Sequence, residues 1–312
     1  MVAGSNPVGP TFFNFERKTI SFRTNIIDTI GRDGEMKRYS LVSNRQAVAG
    51  VIEALLIVAM IATIIGTIQV VYIPEIMEQR EADHMDEVSN QFSHMKAMID
   101  IQTATESNTP IFSIVTLGSK ELPYFVTVGA SGQIEIVCTS NSRIEIDGVT
   151  TAASLTSIQY NAYNSYFPPG VNRQTYVLEG GGIFVDQPDG ESVARVRPSL
   201  TFTEGDPLKI HFDLPVFLDV AGKNNTAGQG KCVIRTNYSH KDSADLFSVA
   251  NYFRIYTKYP NAWNETFADL LGENAVVTKE DDYVQITEDS IDIDLEIRKI
   301  YVTAQIGPGW VI

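Results

Sequence analysis

ALLIVAMIATIIGTIQVVYI, from Ala54 to Ile73, is a run of twenty residues without a charged side chain. Thr63, Thr67 and Gln69 are its only strongly polar members. At about 1.5 Å per residue, a helix of this length covers roughly 30 Å, the thickness of a bilayer hydrocarbon core. The run begins too far from residue 1 to read as an ordinary secretory signal. It reads as one membrane span, assigned to residues 46–73, with a large polar domain after it.

Charge sets the expected orientation. Residues 1–45 carry seven basic side chains (Arg17, Lys18, Arg23, Arg32, Lys37, Arg38, Arg45) and four acidic ones (Glu16, Asp28, Asp33, Glu35). The segment after the span is mostly acidic: Glu75, Glu78, Glu81, Asp83, Asp86 and Glu87, with Arg80 the exception. Cytoplasmic flanks are enriched in Lys and Arg. Residues 1–45 are therefore expected as a cytoplasmic leader, broken by GSNPVGP and GRDG, and residues 74–312 as an exterior part. The whole chain is formally −14; removing the +3 of the leader leaves −17 beyond it. An acidic exterior argues against nucleic acid as a partner and suits cation-rich surroundings.

Beyond Pro74 the pattern turns amphipathic. Met77, Met85, Val88, Phe92, Met95, Met98 and Ile99 recur mostly at three- and four-residue steps, with charges on other faces. This predicts a helix over 74–104 that continues the span, with a bend at Pro74, and lies on the exterior domain. After Asn108-Thr109-Pro110 the period becomes two. Runs such as QIEIVCTS, LKIHFDLPVFLDV, KCVIRTNY and SIDIDLEI alternate apolar and polar residues between turn formers. In SIDIDLEI, Ile291, Ile293, Leu295 and Ile297 share one face, and Asp292, Asp294 and Glu296 the other. About ten such strands predict an α+β chain: the long helix, then an antiparallel β-sandwich over 105–312. Helical spacing predicts two helices within it, Asp242–Thr257 and Ala262–Leu271.

Motifs for chemistry are sparse. There is no GxSxG and no HExxH, and Gly180-Gly181-Gly182 precedes a strand, as a hairpin bend does and a dinucleotide cradle does not. His84 and His94 are ten residues apart and fall on different helix faces. His211 lies in a strand and His240 is expected in a turn. Glu280-Asp281-Asp282 and Glu288-Asp289 offer oxygen ligands, but their spacing fits no EF-hand loop and reads as a solvated acidic surface. No catalytic residue, metal site or cofactor is expected. Cys138 and Cys232 read either as one disulfide or as two unpaired apolar residues in strands. Asn224, Asn237 and Asn264 each head an N-x-[ST] sequon, with Asn224 expected in an exposed loop. Glu53 is an ionisable group at the head of an apolar helix, so it sits either at the interface or paired within an assembly.

The stretch NRQAVAGVIEALLIVAMIATIIGTIQVVYIPEIMEQREADHMDEVSNQF, residues 44–92, resembles archaeal type IV pilin-like proteins. More closely, it is similar to archaeal membrane-anchored surface proteins of unknown function that join a pilin-like helix to a β-rich exterior domain. AYNSYFPPGVNRQTYVLEGGGIFVDQPDGESVARVRPSL at 162–200 and YTKYPNAWNETFADLL at 256–271 carry the same resemblance, so it spans roughly residues 45–300. In pilins a Glu is the fifth residue of the mature chain. Carried onto Glu53, this implies cleavage between Val48 and Ala49. Arg45 lies four residues before Ala49, not adjacent to the cleavage point as in pilins. The resemblance thus implies a non-enzymatic, single-pass cell-surface protein. It is either a filament subunit that self-associates through the N-terminal helix or a stand-alone anchored domain. An exterior module that binds surface carbohydrate or Ca²⁺, with clustered carboxylates and exposed aromatics such as Tyr160, Tyr163, Tyr166 and Phe167 as ligands, is the alternative.

Overall fold

A computed structural model describes residues 45–119, 129–138, 142–147, 149–167, 173–187, 191–205, 207–272, 275–287 and 293–307. The chain divides into two compact units, Met1–Ile57 and Val58–Ile312. What is described of the first is the opening of α1 (Arg45–Thr67), in which every side chain from Val48 onward is exposed. Among the described residues one helix, Val48–Ala104, is long and apolar enough to cross a membrane, and its apolar stretch is unburied.

α1 passes through a π turn, Ile68–Tyr72, into α2 (Ile73–Ala104). The cause is Pro74, which has no N–H for the carbonyl of Val70 and whose ring crowds it. The preceding turn widens, and the Ile73 N–H donates to the Ile68 carbonyl, five residues back. The expected bend is thus taken up as a wider turn.

α2 is amphipathic where the spacing requires. Met77, Met85, Val88, Phe92, Met95 and Ile99 are buried, whereas Met98 is only half-buried. Strands follow: β1 (Ile111–Thr116), β2 (Ser131–Val137), β3 (Arg143–Ile146), β4 (Val149–Ser154), β5 (Ser157–Tyr163), β6 (Gln174–Glu179), β7 (Gly182–Asp186), β8 (Val193–Val196) and β9 (Leu200–Thr203). The remainder comprises β10 (Leu208–Asp219), β11 (Asn225–Gly228), β12 (Lys231–Lys241), β13 (Asp245–Ala250), β14 (Tyr252–Tyr256), α3 (Pro260–Leu271), β15 (Val276–Lys279), β16 (Tyr283–Thr287) and β17 (Ile293–Ile306).

They form three sheets: β1-β12-β17-β10-β9 with β13 on β17, β11-β2-β5-β6-β7-β8, and β15-β16-β14-β3-β4. The chain is α+β, as expected, but more elaborate than one antiparallel sandwich. β10 and β17 pair in parallel, from Leu208 opposite Ile293 to Asp219 opposite Ala304. A parallel pair needs a long crossover, and here β11 to β16 with α3 supply it. The segment Asp242–Thr257, expected as a helix, holds β13 and β14 instead. Its alternation of Phe253 and Ile255 (buried) with Tyr252, Arg254 and Tyr256 (half-buried) satisfies a strand sandwiched between β3 and β16. The second expected helix is α3.

Two cores result. Met85, Val88, Phe92, Met95 and Ile99 of α2 pack with Ile134, Ile158, Tyr160, Tyr176, Val302 and Ile306, between the first and second sheets. Trp263 and Phe267 of α3 pack with Phe184, Phe212, Phe253, Val284 and Leu295, against the third sheet. β17 serves both cores from opposite faces: Ile293, Leu295 and Ile297 enter one, and Val302, Ala304 and Ile306 the other.

Candidate functional site: the anchor helix and its seat

Glu53 lies exposed on α1 among exposed Val51, Ile52, Leu55 and Leu56. Among the described residues these side chains have no apolar partner, so this surface is one that a lipid environment would suit.

About eight turns further on, the same helix is seated by a buried carboxylate. Glu81 is 0 % exposed. Its Oε1 accepts the Ser165 N–H at 3.0 Å, and its Oε2 accepts the N–H groups of Tyr166 and Phe167 at 2.6 and 2.8 Å. These successive amides after β5 form a concave donor array suited to an anion. The apolar stripe gave no hint of it, because Glu81 reads in sequence as one more charge on an acidic helix.

One turn on, His84 is 5 % exposed, and its Nε2 lies 2.9 Å from the Thr116 carbonyl of β1. That bond places the proton on Nε2, and the buried Nδ1 has no partner among the described residues. Burial holds its pKa below the ordinary histidine value, against the opposing pull of the Thr116 bond and of Glu87 and Glu81. Gln91 adds a further tie, its Oε1 accepting the Thr116 N–H at 2.8 Å. Gln102 closes the far end, donating to the carbonyls of Thr109 and Thr236 at 2.8 and 3.2 Å. α2 is thus fastened by polar groups along its length and by apolar packing between them.

A second buried carboxylate, Glu179, closes β6 ahead of the Gly180-Gly181 turn. Its Oε1 accepts the Thr257 hydroxyl at 2.7 Å and the Trp263 Nε1–H at 3.1 Å. Burial pushes its pKa up to about 6, against the lowering effect of those two bonds and of Lys258. Burial also raises the pKa of nearby Tyr259, with Glu179 and Asp186 adding to the effect. The glycine run is the β6–β7 hairpin: Gly180 and Gly181 have φ of +58° and +79°, and a Cβ on Gly180 would stand 2.8 Å from the Trp263 ring.

The other sequence candidates lie apart from one another. Cys138 follows β2 and is exposed, Cys232 is buried on β12, and both are free thiols. Cys138 lies past the end of β2 and Cys232 within β12, and the thiols donate to different carbonyls, of Phe217 and Val233 respectively, so the disulfide alternative is not formed. Burial raises both thiol pKa values. Asn224 sits half-buried in the turn before β11, its amide donating to Asp219 at 3.2 Å. The stretch beyond it is an edge strand on β2, not a loop. Asn237 lies within β12 opposite Thr303, and Asn264 within α3. Neither has the loop setting usual for glycan acceptors.

His94 is exposed, away from His84. His211 lies on β10 between Asp213 and Glu296, 3.3 Å from each. His240 is the penultimate residue of β12, not in a turn, and stacks on Tyr301 with ring centroids 4.4 Å apart. Asp281 and Asp282 are exposed between β15 and β16; Glu288 and Asp289 lie outside the described residues. Among the described residues no group of three or more His, Cys, Asp or Glu is placed to hold a metal ion. Of the four aromatics expected as sugar ligands, Tyr160 is fully buried, its hydroxyl donating to the Leu117 carbonyl at 2.8 Å. Tyr163 is exposed, and Tyr166 and Phe167 are half-buried.

The chain matches no protein-family model, no curated protein and no solved structure.

Proposed function

We propose that this chain is a non-enzymatic, single-pass membrane protein whose N-terminal helix anchors a β-rich domain at the cell surface. One observation carries the proposal: along a single helix, the residues from Val48 to Ile65 are exposed and apolar apart from Glu53 and Thr63, whereas α2 is built into a core and fastened by Glu81, His84 and Gln102. The basic leader and acidic post-span segment support a cytoplasmic N-terminus and an exterior C-terminal domain. The resemblance to pilin-like surface proteins belongs to this proposal, with filament subunit and stand-alone anchored domain as its two forms. Protease added to intact cells tests it. Digestion of the β domain with the leader spared is the expected result, and protection of the β domain refutes it.

A second reading, an adhesive module for neutral glycans, is favoured by the outer face of the third sheet. Tyr252, Tyr256 and Tyr283 lie there half-buried, with Arg254 4.3 Å from the Tyr252 ring and Arg143 3.9 Å from the Tyr256 ring. Rings and fixed donors on a flat face suit the stacking of a sugar. A glycan array probed with the chain and with its Tyr252→Ala and Tyr283→Ala variants tests this reading.

A further inference from the structure

β1 is an edge strand of the first sheet. The register Thr116 opposite Lys231, with the Leu117 N–H donating to the Gly230 carbonyl at 2.8 Å, fixes which backbone groups face β12. Residues 113, 115 and 117 turn their N–H and C=O toward it. Phe112, Ile114 and Thr116 turn theirs away. At Thr116 the outward groups are taken by α2, through Gln91 and His84. At Ile114 and Phe112 no described residue takes them. The side chains of the same two residues are 50 % and 60 % exposed, with the Arg235 guanidinium 5.5 Å from the Phe112 ring centroid.

This open edge forms one wall of a groove of about 670 Å³, and α2 forms the other. Asp83, Asp86 and Glu87 line the α2 wall, all exposed, against two cations among the described residues, Lys231 in the lining and Arg235 over the Phe112 ring.

We propose that this groove takes an extended, cationic peptide segment of a partner protein as an added strand on β1. The backbone groups of Phe112 and Ile114 supply the ladder, as in other edge-strand complexes. Alternate apolar residues of the segment pack beside Phe112 and Ile114, and its basic residues face the α2 carboxylates. Charge selects this occupant over a second copy of the chain. A copy pairing through its own β1 would bring a second acidic wall against the first, in a chain already at −14. The proposal does not depend on which side of a membrane the domain occupies.

The test uses the full chain in detergent micelles and, as probe, an N-acetylated, fluorescein-labelled peptide of alternating Lys and Val. Saturable binding that weakens with added salt is expected, with slowed amide hydrogen exchange at Phe112 and Ile114. Ile114→Pro removes an outward N–H and the exposed Ile114 side chain at a position an edge strand tolerates, and should abolish that binding. The double variant Asp83→Asn, Asp86→Asn leaves the backbone edge intact and should weaken binding about tenfold. The proposal is overturned if the Lys–Val peptide fails to bind at about 1 mM. Equal binding of a Glu–Val peptide, or unchanged binding by both variants, also overturns it. Sedimentation that shows a dimer lost on Ile114→Pro, without peptide binding, assigns the edge to a second copy instead.

Discussion

Two buried carboxylates do opposite things to this protein. Glu81 is matched by three amides, so its removal leaves those part-buried donors without their acceptor. Glu81→Ala is expected to cost about 3 kcal/mol, read as a lowered urea midpoint. Glu179 is held by two donors, which do not outweigh its burial. Its folded pKa of about 6 stands above the unfolded value of 4.5. The stability it contributes is therefore fully present below pH 4.5 and lost as pH rises through 6. The difference amounts to about 2 kcal/mol. Glu179→Gln should remove that part of the pH dependence, which urea unfolding of both proteins between those limits would reveal. His84 acts with the other sign: its pKa is lowered, so its contribution is present above 6.5 and lost as pH falls. Gly180 lies in the same neighbourhood. Gly180→Ala combines a left-handed backbone with a methyl group against the Trp263 ring, and should cost about 2 kcal/mol or more in the same assay.

At the scale of elements, α2 is a wall of a core and not a stalk. Val88, Phe92 and Met95 are fully buried against strands of two sheets. Phe92→Ala should therefore destabilise the β domain by about 3–5 kcal/mol, although the residue lies on the helix. A fragment beginning at Pro74 is expected to unfold cooperatively. One beginning at Thr105 exposes the face that α2 covers and should bind hydrophobic dyes and aggregate. Equal melting temperatures for the two fragments would refute this account of α2. The element also explains its own irregularity, since the π turn at Ile68–Tyr72 absorbs the missing N–H of Pro74 without breaking the helix.

For the whole molecule, Glu53 separates the two forms of the proposed anchor. An exposed ionisable group at the head of an apolar helix needs headgroups, water or a partner. In a stand-alone anchor Glu53→Gln is expected to be silent, with membrane fractionation and surface display unchanged. In a helix-packed filament it should abolish assembly and leave insertion intact. The silent outcome is expected, because Arg45 is placed away from the site where cleavage would free an amine. Sheared surface filaments with a new N-terminus at Ala49 would reverse that expectation.

Much of this was legible in the residues. A twenty-residue uncharged run can be only a few things, because the cost of hydrating apolar surface does not depend on what surrounds it. Likewise the three- and four-residue steps of α2, the alternation in β10, β12 and β17, and the hairpin at Gly180-Gly181 are local matters of backbone period and φ. Where the reading failed, partners decided. Asp242–Thr257 has a helical spacing of apolar residues, yet β3, β16 and β17 offered it ladders, and cross-strand packing prevailed over local preference. β17 buries one face and then the other because two cores lie on opposite sides of it, a fact no single strand can encode. Glu81, Glu179 and His84 look like surface charges or an idle histidine until distant amides, hydroxyls and carbonyls close around them. Hydrogen-bonding capacity belongs to the side chain, but whether it is met depends on groups some eighty residues away, which only the tertiary fold brings into reach.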